Sequence, residues 1–231
     1  MIPKRKILIV DDEKELVKLV TFNLTIAGYE ALSANNGIEA LEICESEKPA
    51  LIILDIMLPR IDGWEVCRRL KQNSKTSNIP IIMLSALSEV DDKLKGFDLG
   101  TDDYVTKPFS PRELVVRVKR VLARAETVYQ LPKKYNFGDL EINFVDSVVR
   151  LKGHEVCLTN KEAAILKVLI EKSGELLTHE QILDAVWGQD DIVEYGNIDV
   201  HIRHLREKIE KDPDDPRLIK TVKGEGYKFE L

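Results

Sequence analysis

Along the first half of the chain, short apolar runs alternate with segments whose apolar residues recur three or four apart. The runs at 6–10, 30–34, 51–54, 79–84 and 103–106 read as five strands. Helical spacing between and after them marks 13–27, 37–47, 62–72, 89–98 and 111–125. The last helix opens on Ser110 and Pro111, an N-cap followed by proline at the first helical position, where a missing N–H costs nothing. The runs ILIV, LIIL and IPIIML are apolar without interruption, as strands covered on both faces by helices are. Regular alternation of strand and helix predicts a parallel α/β sheet with right-handed crossovers.

Beyond residue 125 the pattern changes. Residues 126–135 lose the helical period and include Leu131, Pro132, Lys133 and Lys134, which predicts a polar linker between a first domain at 1–125 and a second at 136–231. From 137 to 158 apolar residues alternate around turn positions at Gly138, Asp146 and Gly153, the signature of a small antiparallel sheet. Helices are expected at 159–172, 178–187 and 198–211. The first two begin T-N-K-E and T-H-E-Q, which fit capping boxes. A hairpin at 218–222 and 227–229, turning through 223–226, completes an α+β winged helix-turn-helix.

With 231 residues, 44% of them hydrophobic, the chain has material for two cores. No stretch approaches the roughly 20 apolar residues of a membrane helix, and the start does not read as a signal peptide, so a cytoplasmic location is expected. Cys44, Cys67 and Cys157 are too scattered for a disulfide framework or a zinc site and are expected to be buried thiols. Net charge is −6, from 34 basic and 40 acidic residues, so bulk charge does not advertise nucleic-acid binding and any basic footprint must be local.

The candidate chemistry lies just past the central strands. Asp11 and Asp12 follow the first, Asp55 the third, Ser85 the fourth and Lys107 the fifth, so all share the carboxyl edge of a parallel sheet. In a flavodoxin-like order 2-1-3-4-5 the first and third strands are neighbours, and the three aspartates converge. Each alone could merely cap the helix that follows it. Together they repel, and a hard divalent cation with oxygen ligands, Mg²⁺ foremost, relieves the conflict. A carboxylate nucleophile beside a hydroxyl and an ammonium forms a constellation suited to accepting a phosphoryl group.

The motifs DD at 11–12, LDIMLPRIDGWE at 54–65, LSA at 84–86 and GTDDYVTKPFSPREL at 100–114 resemble receiver domains of two-component response regulators. The resemblance implies that Asp55 accepts phosphate from a histidine kinase, and that Asp12, Asp55 and the Met57 carbonyl ligate Mg²⁺ with Asp11 nearby. It also implies that Lys107 pairs with Asp55, that Lys107-Pro108 is a cis peptide, and that Tyr104 is an aromatic switch responding to Ser85. The face of the fourth helix, fifth strand and fifth helix carries Lys93, Asp98, Asp103, Glu113 and Arg117. In regulators of this type it forms a symmetric dimer, and Lys93 with Glu113 and Asp103 with Arg117 are the expected intersubunit pairs.

In the second domain, residues 201–228 hold eight Lys or Arg against six Asp or Glu, a local excess of +2. On the third helix His201, His204, Lys208 and Lys211 fall three and four apart, with Arg203 and Arg206 adjacent. The strings NIDVHIRHLREKIE and TVKGEGYKF resemble OmpR/PhoB effector domains. The third helix of that class enters the major groove and its wing the minor groove, which assigns His201, Arg203, His204, Arg206 and Lys223 to DNA. Gly196-Asn197 stands where many relatives have Arg-Thr. Promoter DNA, a sensor kinase, RNA polymerase and a second copy on activation are the expected partners. An enzyme acting on external substrates is disfavoured, because the sequence offers no substrate cap, no glycine-rich nucleotide loop, and Met57 two residues past Asp55 where a second acid would stand.

Overall fold

The computed structural model describes residues 4–85, 99–129, 134–144, 148–188 and 196–230. The chain divides into two compact units, Met1–Ala125 and Glu126–Leu231, each considered by itself.

The first unit contains β1 (Lys6–Val10), α1 (Lys14–Ile26), β2 (Glu30–Ala34), α2 (Gly37–Glu47), β3 (Leu51–Asp55), α3 (Gly63–Gln72), β4 (Ile81–Ser85), β5 (Asp103–Thr106) and α4 (Pro111–Tyr129). The five strands are parallel in the order β2-β1-β3-β4-β5. Strict side-chain alternation sorts the uninterrupted apolar runs onto two faces. Leu8, Val10, Ile52, Leu54, Ile81 and Met83 pack with Ala40, Cys44, Val66 and Cys67 of α2 and α3. Ile7, Ile9, Leu51, Ile53, Ile82 and Leu84 pack with Val20, Leu24, Leu114 and Val118 of α1 and α4.

Local chemistry starts the helices. Asn36 accepts from the amides of Ile38 and Glu39 to cap α2, and Asp62 accepts from Glu65 to cap α3. The helix expected at 89–98 lies outside the described residues. The expected linker is shortened at both ends, because α4 runs on through Tyr129 and β6 begins at Lys134. No glycine or proline stands between Pro111 and Pro132, so nothing in the chain stops the helix earlier.

In the second unit β6 (Lys134–Phe137), β7 (Leu140–Asn143), β8 (Val148–Leu151) and β9 (His154–Val156) form an antiparallel sheet in sequence order. Then come α5 (Asn160–Glu171), β10 (Leu176–Thr178), α6 (His179–Trp187), α7 (Gly196–Ile209), β11 (Ile219–Val222) and β12 (Gly226–Phe229). Both expected capping boxes are present, Thr159 with Glu162 and Thr178 with Gln181. The hairpin gains a strand that apolar patterning did not reveal: β10, three residues long, pairs with β12 to give the order β10-β12-β11. Gly226 permits this pairing, because a Cβ there would sit 2.0 Å from the Leu177 carbonyl oxygen.

Cys44 and Cys67 are buried, but Cys157 is only partly so, since it lies just past β9, the edge strand of its sheet. Among the described residues no helix is long and apolar enough to cross a membrane.

Candidate functional site

The parallel sheet brings the predicted edge residues together. Carboxylate oxygens of Asp11, Asp12 and Asp55 all lie within 4.8 Å of one another. Asp11 and Asp55 are buried while Asp12 is exposed, so the cluster opens to solvent on one side. Lys107 reaches across from the end of β5, its Nζ 2.7 Å from Asp11 Oδ2 and 3.0 Å from Asp55 Oδ1. Pairing with Asp11 was not expected, and it makes the lysine a bridge between two strand ends. The peptide Lys107-Pro108 is cis, as expected. Ser85 is buried at the end of β4, and its carbonyl accepts from the Lys107 amide at 2.6 Å.

The electrostatics of this edge are unbalanced. Burial raises the Asp55 carboxyl above its ordinary range, Lys107 opposes that, and Asp11 and Asp12 add to it. Burial pulls the Lys107 ammonium down, but its bonds to Asp11 and Asp55 outweigh this and leave it raised. One ammonium among three carboxylates leaves surplus negative charge on an all-oxygen donor set, which fits a hard cation such as Mg²⁺. Met57 is exposed in the loop after β3, two residues past Asp55.

Gly63, within the 54–65 motif, has a role that residue chemistry alone does not reveal. A Cβ there would lie 2.2 Å from the Asp55 carbonyl oxygen, and its own amide donates to Ile56 at 2.9 Å. The residue lets the start of α3 press on the strand end that carries Asp55. Also missed was a buried pair, Lys71 on α3 with Asp102 before β5. Lys71 Nζ donates to the carbonyls of Ser77 and Ile79 and lies 3.4 Å from Asp102, which also accepts from the Ile81 amide. Only folding places these residues side by side.

Tyr104 is half-buried, its ring 6.1 Å from that of Trp64. On the predicted dimer face, Arg117 binds Asp103 at 3.1 Å and Glu113 at 3.0 Å within the same chain. Lys93 and Asp98 lie outside the described residues.

In the second unit, α7 buries Ile198, Ile202, Leu205 and Ile209 and exposes Asp199, Arg203 and Glu207. The tip between β11 and β12, with Lys223, is exposed. The basic face expected on this helix needs correction. His201 is fully buried beside Trp187, with ring centroids 5.8 Å apart, and cannot reach a groove in this conformation. Its position is one turn from Leu205 and on the same face, so helical geometry points it into the core. Lys208 is held by the buried Glu162 at 2.7 Å. Arg206 turns toward the wing and donates to the Ile219 carbonyl and Thr221 Oγ1. Arg203, partly exposed His204 and Lys223 remain on the surface.

The response regulator receiver domain model matches residues 7–119, and the C-terminal transcriptional regulatory protein model matches 153–229. The chain is 44% identical to the alkaline phosphatase synthesis transcriptional regulatory protein PhoP of Bacillus subtilis, over 98% of this chain and 97% of that one. The chain belongs to the OmpR/PhoB family of response regulators. This response regulator is also 41% identical to the DNA-binding dual master transcriptional regulator RpaA of Synechocystis, over 98% of this chain and 95% of that one. Among solved structures it is similar to DrrB, a Thermotoga maritima OmpR/PhoB homolog, at 38% identity and a TM-score of 0.51, covering 99% and 100% of the two chains. It is a transcriptional regulator whose first unit is a receiver domain and whose second is a DNA-binding winged helix.

Proposed function

We propose that this regulator is switched by a phosphoryl group on Asp55, and that the switch controls dimerisation and binding to tandem promoter half-sites. The observation that carries the reading is the convergence of Asp55 with Asp11, Asp12 and Lys107 at one sheet edge. An Asp55 carboxylate oxygen attacks the phosphorus of a kinase phosphohistidine. The O–P bond forms as the P–N bond breaks, and the electron pair stays on the departing imidazole nitrogen. Lys107, held by Asp11, donates to a phosphoryl oxygen once Asp55 carries the group. Asp12, Asp55 and the Met57 carbonyl, with Asp11 nearby, would hold a Mg²⁺, and that ion would neutralise the phosphoryl oxygens when bound. Ser85 shifts toward the new dianion and Tyr104 turns into the space it leaves.

A sensor kinase is the donor. Leu19, Phe22 and Ile26 form an exposed apolar stripe on α1, 48%, 63% and 71% accessible, which suits docking of an amphipathic partner helix. Dimerisation uses the face bearing Lys93, Asp98, Asp103, Glu113 and Arg117, where Arg117 exchanges a partner within the chain for one across the interface. Exposed ion pairs contribute only about 0–1 kcal/mol each, so they orient the dimer while apolar residues such as Val116 supply affinity. On DNA, α7 enters the major groove and the wing the minor groove, with Arg203, His204 and Lys223 in contact. Weak single-site binding by an acidic protein explains why dimerisation would matter. RNA polymerase is the downstream partner, the setting is the cytoplasm, and the protein turns over no external substrate.

The test is labelling of the full chain by acetyl phosphate with Mg²⁺. Asp55→Asn is expected to abolish it and the accompanying gain in promoter footprinting. Undiminished labelling of the variant overturns the assignment.

A further inference from the structure

We propose that Arg206 is a positioning residue for DNA reading: it fixes the angle of the β11–β12 wing against α7 and is not a contact to DNA. The proposal rests on the reading that α7 and the wing are the elements that enter the grooves. Its basis is how the guanidinium is used. Nε and Nη2 both donate to the Ile219 carbonyl, at 3.1 and 2.7 Å, and Nη2 also donates to Thr221 Oγ1 at 2.7 Å. The guanidinium carbon lies 5.8 Å from the Tyr227 ring centroid. Two of its three nitrogens are thus committed to β11, and its guanidinium carbon lies over the Tyr227 ring of β12.

Neighbouring contacts extend the same linkage along the helix. At the first turn of α7, Asp199 Oδ1 accepts from the Tyr227 hydroxyl at 2.7 Å and meets His179 Nε2, on α6, at 2.8 Å. Just past its end, the buried Glu210 carboxylate accepts from the amides of Arg217, Leu218 and Ile219 at 2.8–2.9 Å. The recognition helix therefore grips the base of the wing at three heights, and Arg206 holds the middle one. A four-residue strand extends roughly 13 Å, so a tilt of about 10° at its base moves the tip by about 2 Å. Such a shift is enough to take Lys223 out of register with a groove that α7 still occupies. The planar fork matters more than the charge, since three bonds at fixed angles cannot be reproduced by an ammonium.

The full chain first selects a consensus duplex from a randomised library. Binding to that duplex and to a scrambled duplex of equal composition is then measured across salt concentrations. For Arg206→Gln the consensus-to-scrambled affinity ratio should fall at least tenfold, with the log–log salt slope unchanged on both duplexes. Arg206→Lys should behave like the glutamine variant. Arg203→Gln, the exposed contrast, should lower the slope. If Arg206→Gln lowers the slope by about 0.9 on both duplexes and Arg206→Lys restores it, Arg206 is a phosphate contact and the proposal is overturned. Binding like wild type by both variants also overturns it. If the wild-type chain enriches no motif, the underlying DNA reading fails first, a distinguishable result. Should Arg206→Gln not fold by circular dichroism, Thr221→Ala and Tyr227→Phe remove single bonds of the same linkage. Each should lower the ratio two- to fivefold at constant slope, and an unchanged ratio in both counts against the proposal.

Discussion

Replacing His201 by leucine removes, among the described residues, the buried side chain whose polar atoms have no hydrogen-bond partner. The imidazole is fully buried, and neither ring nitrogen has a hydrogen-bond partner among the described residues. Burial, followed by the positive charges of Lys161, His204 and Lys208, pushes its pKa down to about 3 from an ordinary 6.5. The folded form thus binds its proton far more weakly than the unfolded chain does. With a depressed pKa, the stability is complete above pH 6.5 and drains away as pH falls from 6.5 toward 3. Between pH 8 and pH 5 the unfolded state gains about 30-fold in weight, or about 2 kcal/mol. Leucine has similar volume and no polar atoms, so the variant should lose this component and gain stability at pH 8. Urea unfolding followed by Trp187 fluorescence in a Trp64→Phe background confines the signal to this domain. With slopes of about 1–3 kcal/mol/M, the parent midpoint should drop by about 1 M more than that of His201→Leu on going to pH 5. Carboxylates are common to both chains and cancel in the difference. Equal midpoint drops would refute the reasoning.

Three further outcomes are expected. Gly63→Ala places a Cβ against the Asp55 carbonyl, so the receiver should lose about 1–3 kcal/mol in thermal unfolding and its acetyl phosphate labelling should slow at least tenfold; unchanged labelling would deny that this contact positions Asp55. Lys71→Met keeps the packed stem but strips the buried Asp102 of its cation, and Trp64-monitored unfolding should show a cost of about 3–5 kcal/mol, whereas a loss below about 1 would mean the pair is dispensable. Mg²⁺ at a hundredfold excess over its Kd should raise receiver stability by about 2.7 kcal/mol, and most of that gain should vanish in Asp12→Ala; an equal gain in both places the ion elsewhere.

Much of this molecule was legible in its residues. Three uninterrupted apolar runs required a sheet covered on both sides, and chain order alone then put Asp11, Asp55, Ser85 and Lys107 on one edge. Capping boxes at Thr159 and Thr178 marked helix starts because the pattern is local, with donor and acceptor three residues apart. Where the reading failed, the deciding contact was distant in sequence. The exception is α7, where charge suggested a basic face with His201 on it, although His201 stands one turn from Leu205 on the buried stripe and packs beside Trp187. The sharing of Lys107 between Asp11 and Asp55, the Lys71–Asp102 pair, and the turning of Arg206 toward the wing join residues up to 96 positions apart.

The sequence by itself determined which residues could do chemistry and which strand ends would carry them, because side-chain periodicity and strand order are properties of the chain. Tertiary structure alone decided which of the charged groups spend their bonds inside the protein, because an ion pair or a buried ring depends on what the fold brings within about 3 Å.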